Sequence, residues 1–219
     1  MSAGTLGTRY AEVSGKVAAL NPSAVLIAVS KTQPIERIEA LYRLGHRDFG
    51  ENYAQELVEK ADSLAGRGFA GIRWHFIGHL QTNKTKLVLP YVSTIHSLDS
   101  ERRAIELGKR VELTSPPLSV FIEVKLSEQD SKTGISPEEL PDLLQVVRGQ
   151  SMLKLEGLMA IPDPGRADSA LAFRELAALK EKYRTGPSLS MGMTADYEVA
   201  LKEGATHVRV GTAIFGPRN

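Results

Sequence analysis

Lys31, which directly follows the apolar run AVLIAVS (24–30), is the residue whose position most suggests chemistry. A lysine is costly to bury, and on its own it could be a solvated residue at a strand end. Partial burial weakens the preference of the amine for its charged form, and a nearby guanidinium such as that of Arg209 acts in the same direction. A neutral amine can attack an aldehyde to form a Schiff base. The sequence therefore predicts that Lys31 can hold a carbonyl compound covalently.

Two segments near the C-terminus have the composition of phosphate-binding loops. SMGMTAD (190–196) places the Ser190 hydroxyl and a glycine directly before a predicted helix, and RVGTAIFG (209–216) places Gly211 and Thr212 before a short helical turn. Backbone N–H groups at helix starts bind phosphate, and glycine lets the anion approach the main chain. Either segment alone could be an ordinary turn, but the two together predict a phosphate site.

A lysine amine and a phosphate site together point to a phosphorylated aldehyde as ligand. Pyridoxal 5′-phosphate (PLP) is a cofactor of this kind, and its ring adds a pyridine nitrogen that the Arg209 cation could face. The residue types therefore predict PLP as cofactor. A cofactor-free barrel enzyme that binds a phosphosugar, with Lys31 acting on its carbonyl, is a further interpretation of the same residues.

The elements that must position these residues alternate between short β-type runs and helical patterns, which predicts βα units and a parallel sheet. Eight such units favour a single (β/α)8 TIM-type barrel with an extra N-terminal helix. An open, doubly wound sheet is the alternative, but no G-x-G-x-x-G follows the first run. The eight runs span residues 24–30, 46–50, 72–78, 92–97, 118–124, 153–159, 187–191 and 206–211.

The barrel prediction places the chemical residues together. Functional groups of such barrels lie where strands end, and phosphate is often bound after strands 7 and 8. Because strand 8 pairs with strand 1 in a closed barrel, Lys31 and the segment RVGT (209–212) are expected to be neighbours. Only AIFGPRN (213–219) follows, so the eighth helix is nearly absent, and we expect the N-terminal helix to cover part of the barrel instead.

Composition narrows the class of protein. The formal net charge is +1, from 27 basic and 26 acidic residues, so no overall field favours nucleic acid or an anionic membrane. The absence of cysteine excludes disulfides, a thiol nucleophile and a thiolate zinc site. No apolar run approaches the roughly 20 residues that span a bilayer. We expect one cytoplasmic barrel domain over 1–219, and a monomer.

Seven motifs, in order along the chain, closely resemble the pyridoxal phosphate homeostasis protein family, a group related to the N-terminal barrel of alanine racemase. The motifs are AVSKT (28–32), FGENYAQE (49–56), WHFIGHLQTNK (74–84), SKTGI (131–135), GLMAIP (157–162), SMGMTAD (190–196) and RVGTAIFG (209–216). The resemblance implies a PLP-binding barrel with the cofactor as a covalent aldimine on Lys31. It further implies Asn52 near the ring, Arg209 at the pyridine nitrogen, and a phosphate site made by Ser190, Gly211 and Thr212.

The resemblance also implies a function in intracellular vitamin B6 homeostasis, with apo PLP-dependent enzymes as potential recipients of PLP and no established turnover. An arginine at the pyridine nitrogen disfavours its protonation, which weakens the ring as an electron sink. An amino-acid racemase-like enzyme is the alternative. The related alanine racemases have a second domain, which supplies a catalytic tyrosine. We expect no room for such a domain after Gly211, so a racemase-like enzyme would lack that residue.

Several of these residues have simpler interpretations. Asn52 could be a helix N-cap with Gln55 as its capping-box partner, and Arg209 could form an ion pair with Glu123. The spacing of His75 and His79 lacks the glutamate of a zinc-protease motif, so no metal site is predicted. A helix face formed by Glu56, Glu59 and Lys60 is interpreted as solvated, and the loop residue Lys132 is interpreted either as solvated or as a lid contact.

Overall fold

The structure is a computed structural model that describes residues 3–111, 117–126, 133–162 and 169–217. Eight parallel strands form a closed barrel in which each pairs with the next along the chain and β8 pairs with β1. The predicted (β/α)8 barrel is confirmed. The strands are β1 (Val25–Val29), β2 (Asp48–Glu51), β3 (Arg73–Phe76), β4 (Val92–Leu98), β5 (Leu118–Glu123), β6 (Leu153–Met159), β7 (Ser188–Ser190) and β8 (His207–Val210).

The helices lie around the barrel, as expected for βα units. They are α1 (Ala3–Leu20), α2 (Ile35–Arg43), α3 (Ala54–Gly66), α4 (Thr85–Val88), α5 (Glu101–Val111), α6 (Leu140–Arg148), α7 (Ser169–Tyr183), α8 (Tyr197–Lys202) and α9 (Thr212–Phe215), with a 3₁₀ turn at Thr82–Lys84. Within the described ranges no helix is long and apolar enough to cross a membrane.

The strands are buried over nearly their whole length because one face fills the barrel and the other packs against helices. Phe121 and His96 stack inside the barrel with ring centroids 4.5 Å apart. On the outside, the apolar stripe of α3 packs Leu57 and Leu64 against the sheet. The core therefore has two layers, and polar residues on the inner face of the barrel lie far from solvent.

The two ends of the chain cover the same side of the barrel. The helix after β8, α9, has only four residues. The N-terminal helix α1 packs against α9, α2 and α8, and it buries Val13 and Val17. The expectation that α1 replaces a full eighth helix is confirmed. The first residues of α9 consequently remain at the barrel mouth beside the end of β1.

Candidate functional site

Lys31 lies at the C-terminal end of the barrel beside the segment that follows β8. The register pairs Ala28 of β1 with Val210 of β8, so the residues that follow each strand meet. Together with Val29, Gln33 and Gly216, the residues Lys31, Gly211 and Thr212 line a small cavity of about 40 Å³. The predicted juxtaposition of Lys31 with the RVGT segment is therefore present. The first N–H groups of α9 have no partners within the helix. That of Ala213 donates to the Thr194 hydroxyl at 3.4 Å, whereas Thr212, the first residue of α9, lines this cavity.

Ser190 and Arg209 form a hydrogen-bonded pair under this mouth. Ser190 ends β7 and is fully buried, while Arg209 on β8 is only 3% exposed. The guanidinium donates from Nη1 to Ser190 Oγ at 2.7 Å and from Nη2 to the carbonyl of Ala160 at 3.0 Å. Two neighbouring strands thus fix a buried cation in one orientation.

Among the described residues, the charge of Arg209 is balanced by carboxylates at a distance rather than by a contact ion pair. Burial lowers the pKa of Arg209 to about 10, and the negative charges of Glu123 and Asp196 oppose that shift. Burial raises the pKa of Glu123, which accepts a hydrogen bond from the Thr133 hydroxyl at 2.7 Å. The interpretation of Arg209 as a contact ion-pair partner of Glu123 is therefore wrong, because its guanidinium bonds Ser190 and Ala160 instead. Arg209 remains a cation at neutral pH.

Asn52 is not the helix cap that the capping-box pattern suggested. The residue at the N-cap of α3 is Tyr53, and it makes no side-chain capping bond. The side-chain oxygen Oδ1 of Asn52 is buried and has no hydrogen-bond partner among the described residues. A buried amide oxygen without a partner is costly, so a ligand that donates a hydrogen bond or replaces the missing solvation would fit there.

The loop after β3 holds Asn52 in place. A Cβ atom on Gly78 would lie 2.3 Å from the backbone oxygen of Asn52, so only glycine allows the two loops to approach this closely. Beside them is a cavity of about 340 Å³. Its polar lining includes Gln55, Gln81, His79 and Lys84. The amide of Asn52 therefore borders an opening large enough for a small molecule.

The SMGMTAD loop has a backbone that requires glycine. Gly192 has a φ of +90°, and a Cβ atom there would lie 2.5 Å from Cβ of Ala200. The Asp196 carboxylate accepts the N–H of Met193 at 2.7 Å, and the Thr194 hydroxyl accepts the N–H of Ala213 at 3.4 Å. The last bond joins the two predicted phosphate loops at their tips.

A buried ion cluster supports the turn that carries Lys31, and sequence reasoning missed it. Lys60 is buried and donates to the carbonyl of Ser30 at 2.6 Å and to the carboxylates of Glu51 and Glu56, both at 2.7 Å. The interpretation of Glu56 and Lys60 as part of a solvated helix face is wrong, whereas Glu59 is exposed. A signal was available, because Lys60 falls on the same stripe as Leu57 and Leu64.

The two histidines of the WHFIGHLQTNK motif have separate surroundings. His75 is buried inside the barrel, whereas the side chain of His79 is 48% exposed and contacts Asp99. Among the described residues, no three His, Cys, Asp or Glu side chains form a cluster that could hold a metal ion. Lys132 and part of the SKTGI motif lie outside the described residues, so the structure does not test the solvated interpretation of Lys132.

The chain as a whole is similar to proteins of one known family. The profile of the family "Alanine racemase, N-terminal domain" matches residues 11–219. A protein of Vibrio cholerae named pyridoxal phosphate homeostasis protein is 42% identical over 204 residues, which are 90% of this chain and 86% of that protein. The chain belongs to the pyridoxal phosphate homeostasis protein family. A member from Pseudomonas aeruginosa with the same name is 40% identical, over 98% of this chain and 96% of its own length.

Solved structures of the family agree. PipY of Synechococcus elongatus PCC7942, solved with PLP bound, is 33% identical and superposes with a TM-score of 0.84, over 96% of this chain and 100% of PipY. The same protein without PLP gives a TM-score of 0.88. Alanine racemase from Corynebacterium glutamicum, at 15% identity and a TM-score of 0.68, shares the barrel fold over 96% of this chain and 61% of its own.

Proposed function

We propose that this protein binds PLP as a Schiff base on the amine of Lys31 and serves in vitamin B6 homeostasis in the cytoplasm, by holding and releasing the cofactor. The observation that carries the proposal is the mouth of the barrel, where Lys31, Gly211 and Thr212 line one cavity beside the start of α9. An amine that reacts with aldehydes thus lies next to N–H groups suited to phosphate. The PLP-bound structure of PipY, a family member, supports the same choice of ligand.

The residues around this mouth fit PLP in chemical type. Gly211 and Thr212 would hold the phosphate, and the Ser190 hydroxyl, which bonds Arg209 and His96, would serve the site by fixing Arg209. Asn52 would contact the ring with an amide oxygen that has no partner among the described residues. Arg209 would face the pyridine nitrogen with a guanidinium fixed by Ser190 and Ala160. Each of these roles uses a group that the barrel already holds at or below its C-terminal mouth.

The charge of Arg209 also favours storage of PLP over PLP-dependent catalysis. When bound, PLP supplies an electron sink for carbanions, and that sink is strongest with a protonated ring nitrogen. Arg209 donates hydrogen bonds only and stays charged at neutral pH, since its pKa is about 10. A cation at the ring nitrogen would oppose its protonation. The residues therefore favour a carrier of PLP, which could pass the cofactor to apo PLP-dependent enzymes, over an amino-acid racemase.

Absorbance of the full-length protein titrated with PLP tests the binding proposal. We expect a band near the visible edge that forms with one equivalent of PLP and is lost in Lys31→Ala. Lys84→Ala, which removes a lysine of the neighbouring cavity, is the matched control and should keep the band. A protein that takes up no PLP, or a band that survives in Lys31→Ala, would contradict the proposal.

Exchange of the α-proton of amino acids with solvent tests the absence of turnover. The PLP-loaded protein is incubated with a panel of amino acids in D₂O and followed by NMR. We expect exchange far slower than ordinary enzyme turnover, which is on the order of 1 per second or faster. Sustained exchange at that rate would show that the racemase-like alternative is right.

A further inference from the structure

A continuous series of hydrogen bonds crosses the barrel interior from the candidate site to its opposite end. It begins where Arg209 donates to Ser190 Oγ, and Ser190 Oγ lies 2.8 Å from Nδ1 of His96. Nε2 of His96 lies 3.0 Å from Nδ1 of His75, whose Nε2 lies 3.1 Å from Oδ1 of Asp48. We call the four residues Ser190, His96, His75 and Asp48 the histidine relay.

The two ends of the relay are chemically fixed. The guanidinium of Arg209 can only donate, so Ser190 Oγ accepts at that end. At the other end, burial raises the pKa of Asp48, but hydrogen bonds from His75 and Arg73 outweigh that effect and hold it well below its ordinary value. Asp48 is therefore an ionised carboxylate, which can only accept.

With a neutral His75, these ends determine the position of every proton between them. Because Asp48 accepts, Nε2 of His75 carries a proton, and Nδ1 of neutral His75 is an acceptor. Nε2 of His96 must then carry a proton and donate to His75, which leaves Nδ1 of His96 to accept from the Ser190 hydroxyl. The donors all point from Arg209 towards Asp48, and no lone pair in the series faces another.

Burial keeps His96 neutral. His96 is fully buried and stacks on Phe121, and burial lowers its pKa well below the ordinary value. His75 is 4% exposed. At this depth an unpaired ring nitrogen would be costly, so each ring is tied to its two partners.

We propose that His96, oriented through His75 by Asp48, is a positioning residue that fixes the Ser190 hydroxyl and, through it, the Arg209 guanidinium at the candidate PLP site. The inference rests on the proposed function for the ligand, but the relay itself is a property of the protein without cofactor. The position of the Arg209 guanidinium at the candidate PLP site thereby depends on the Asp48 carboxylate at the opposite end of the barrel.

Long-range ¹H–¹⁵N NMR correlation of ¹⁵N-histidine-labelled, cofactor-free protein at pH 7.5 tests the relay. We expect His75 and His96 to be neutral and protonated only at Nε2. A proton on Nδ1 of His96, or a doubly protonated His75, would mean that the series runs in the opposite direction and would overturn the inference.

Asp48→Asn tests whether Asp48, at one end of the relay, determines the tautomer of His96 and the PLP affinity at the other end. An amide can donate to Nε2 of His75, so it permits the reversed arrangement that a carboxylate forbids. We expect His96 to populate both tautomers and PLP affinity to fall by roughly 3–10-fold, the loss expected from one weakened hydrogen bond. The absorbance band of bound PLP should shift as well, because the Arg209 contact changes. Unchanged tautomers or unchanged PLP affinity would overturn the positioning role.

Arg73→Gln is the matched control. Arg73 bonds the same Asp48 carboxylate from the surface side, with a side chain 57% exposed, but lies outside the relay. We expect the tautomers and PLP affinity to stay as in the wild type. Equal changes in tautomers and PLP affinity in Arg73→Gln and Asp48→Asn would mean that any disturbance around Asp48 has this effect, and they would contradict the inference. Failure of the wild type to bind PLP would contradict the proposed function alone, since the tautomers are measured without PLP.

Discussion

The ammonium group of Lys60 lies 2.6 Å from the backbone carbonyl of Ser30, the residue immediately before Lys31. Its other two protons go to Glu51 and Glu56, so all three donors are used. Glu56 also accepts the N–H of Thr32, which has a φ of +60°. A buried cation on α3 therefore fixes the turn on both sides of Lys31.

Lys60→Met is expected to destabilise the fold and weaken PLP binding. It leaves Glu51, whose pKa burial already raises, without its cation, and breaking a buried pair in this way costs about 3–5 kcal/mol. Urea unfolding measures the loss, and PLP titration measures the effect on the Lys31 turn. Lys154→Met removes a pair whose lysine is 66% exposed and should cost at most about 1 kcal/mol. Similar losses in both variants would show that the Lys60 cluster has no special role.

The barrel and the meeting of Lys31 with RVGT were predictable from the sequence because both follow from local patterns and one topological rule. Each of the eight predicted runs overlaps a strand, with ends that differ by a few residues. The histidine relay was not predictable. Its residues come from β2, β3, β4 and β7, and which inward-facing side chains meet across a barrel depends on strand tilt and register. The alternative interpretation of Asn52 as a helix N-cap was wrong, although Asn followed by Gln three residues later fits a capping box.

Asn52→Ala is expected to separate binding from stability. Its buried Oδ1 lacks a partner in the described protein, so truncation removes an unsatisfied group, and the free energy of unfolding without PLP should stay level or rise by about 1 kcal/mol. PLP affinity should fall by roughly fivefold or more if the amide contacts the ring. Paired measurements of unfolding and PLP titration check this. A variant that loses stability without losing affinity would identify Asn52 as purely structural.

Gly192→Ala is expected to distort the SMGMTAD loop. It combines a φ of +90° with a Cβ only 2.5 Å from Ala200, whereas Gly204 has a φ of +91° and no atom within 4 Å of an added Cβ. Gly204→Ala should therefore cost about 1–2 kcal/mol from the backbone alone, and Gly192→Ala about 1–3 kcal/mol more from crowding. Thermal or urea unfolding gives the difference. Equal losses would mean that the loop relaxes without strain.

Buried histidines predict that the protein loses stability on mild acidification. Burial lowers the pKa of His207 to about 4 and also lowers those of His46 and His96. Between the folded value and the ordinary value near 6.5, the unfolded chain binds more protons than the folded one, so the free energy of unfolding decreases as pH falls through that window. For His207 the full shift corresponds to on the order of 3 kcal/mol.

His207→Gln isolates this contribution, because glutamine does not titrate and can still bond Thr206, which lies 2.9 Å from Nδ1 of His207. The free energy of unfolding, measured in urea from pH 7.5 to pH 4.5, should decline less steeply in the variant than in the wild type. The lowered pKa of Asp48 changes the free energy of unfolding only as pH falls below about 4, which is outside this range, so it does not obscure the difference. Parallel curves for the two proteins would mean that His207 titrates normally, and that the interior of the barrel admits water at this position.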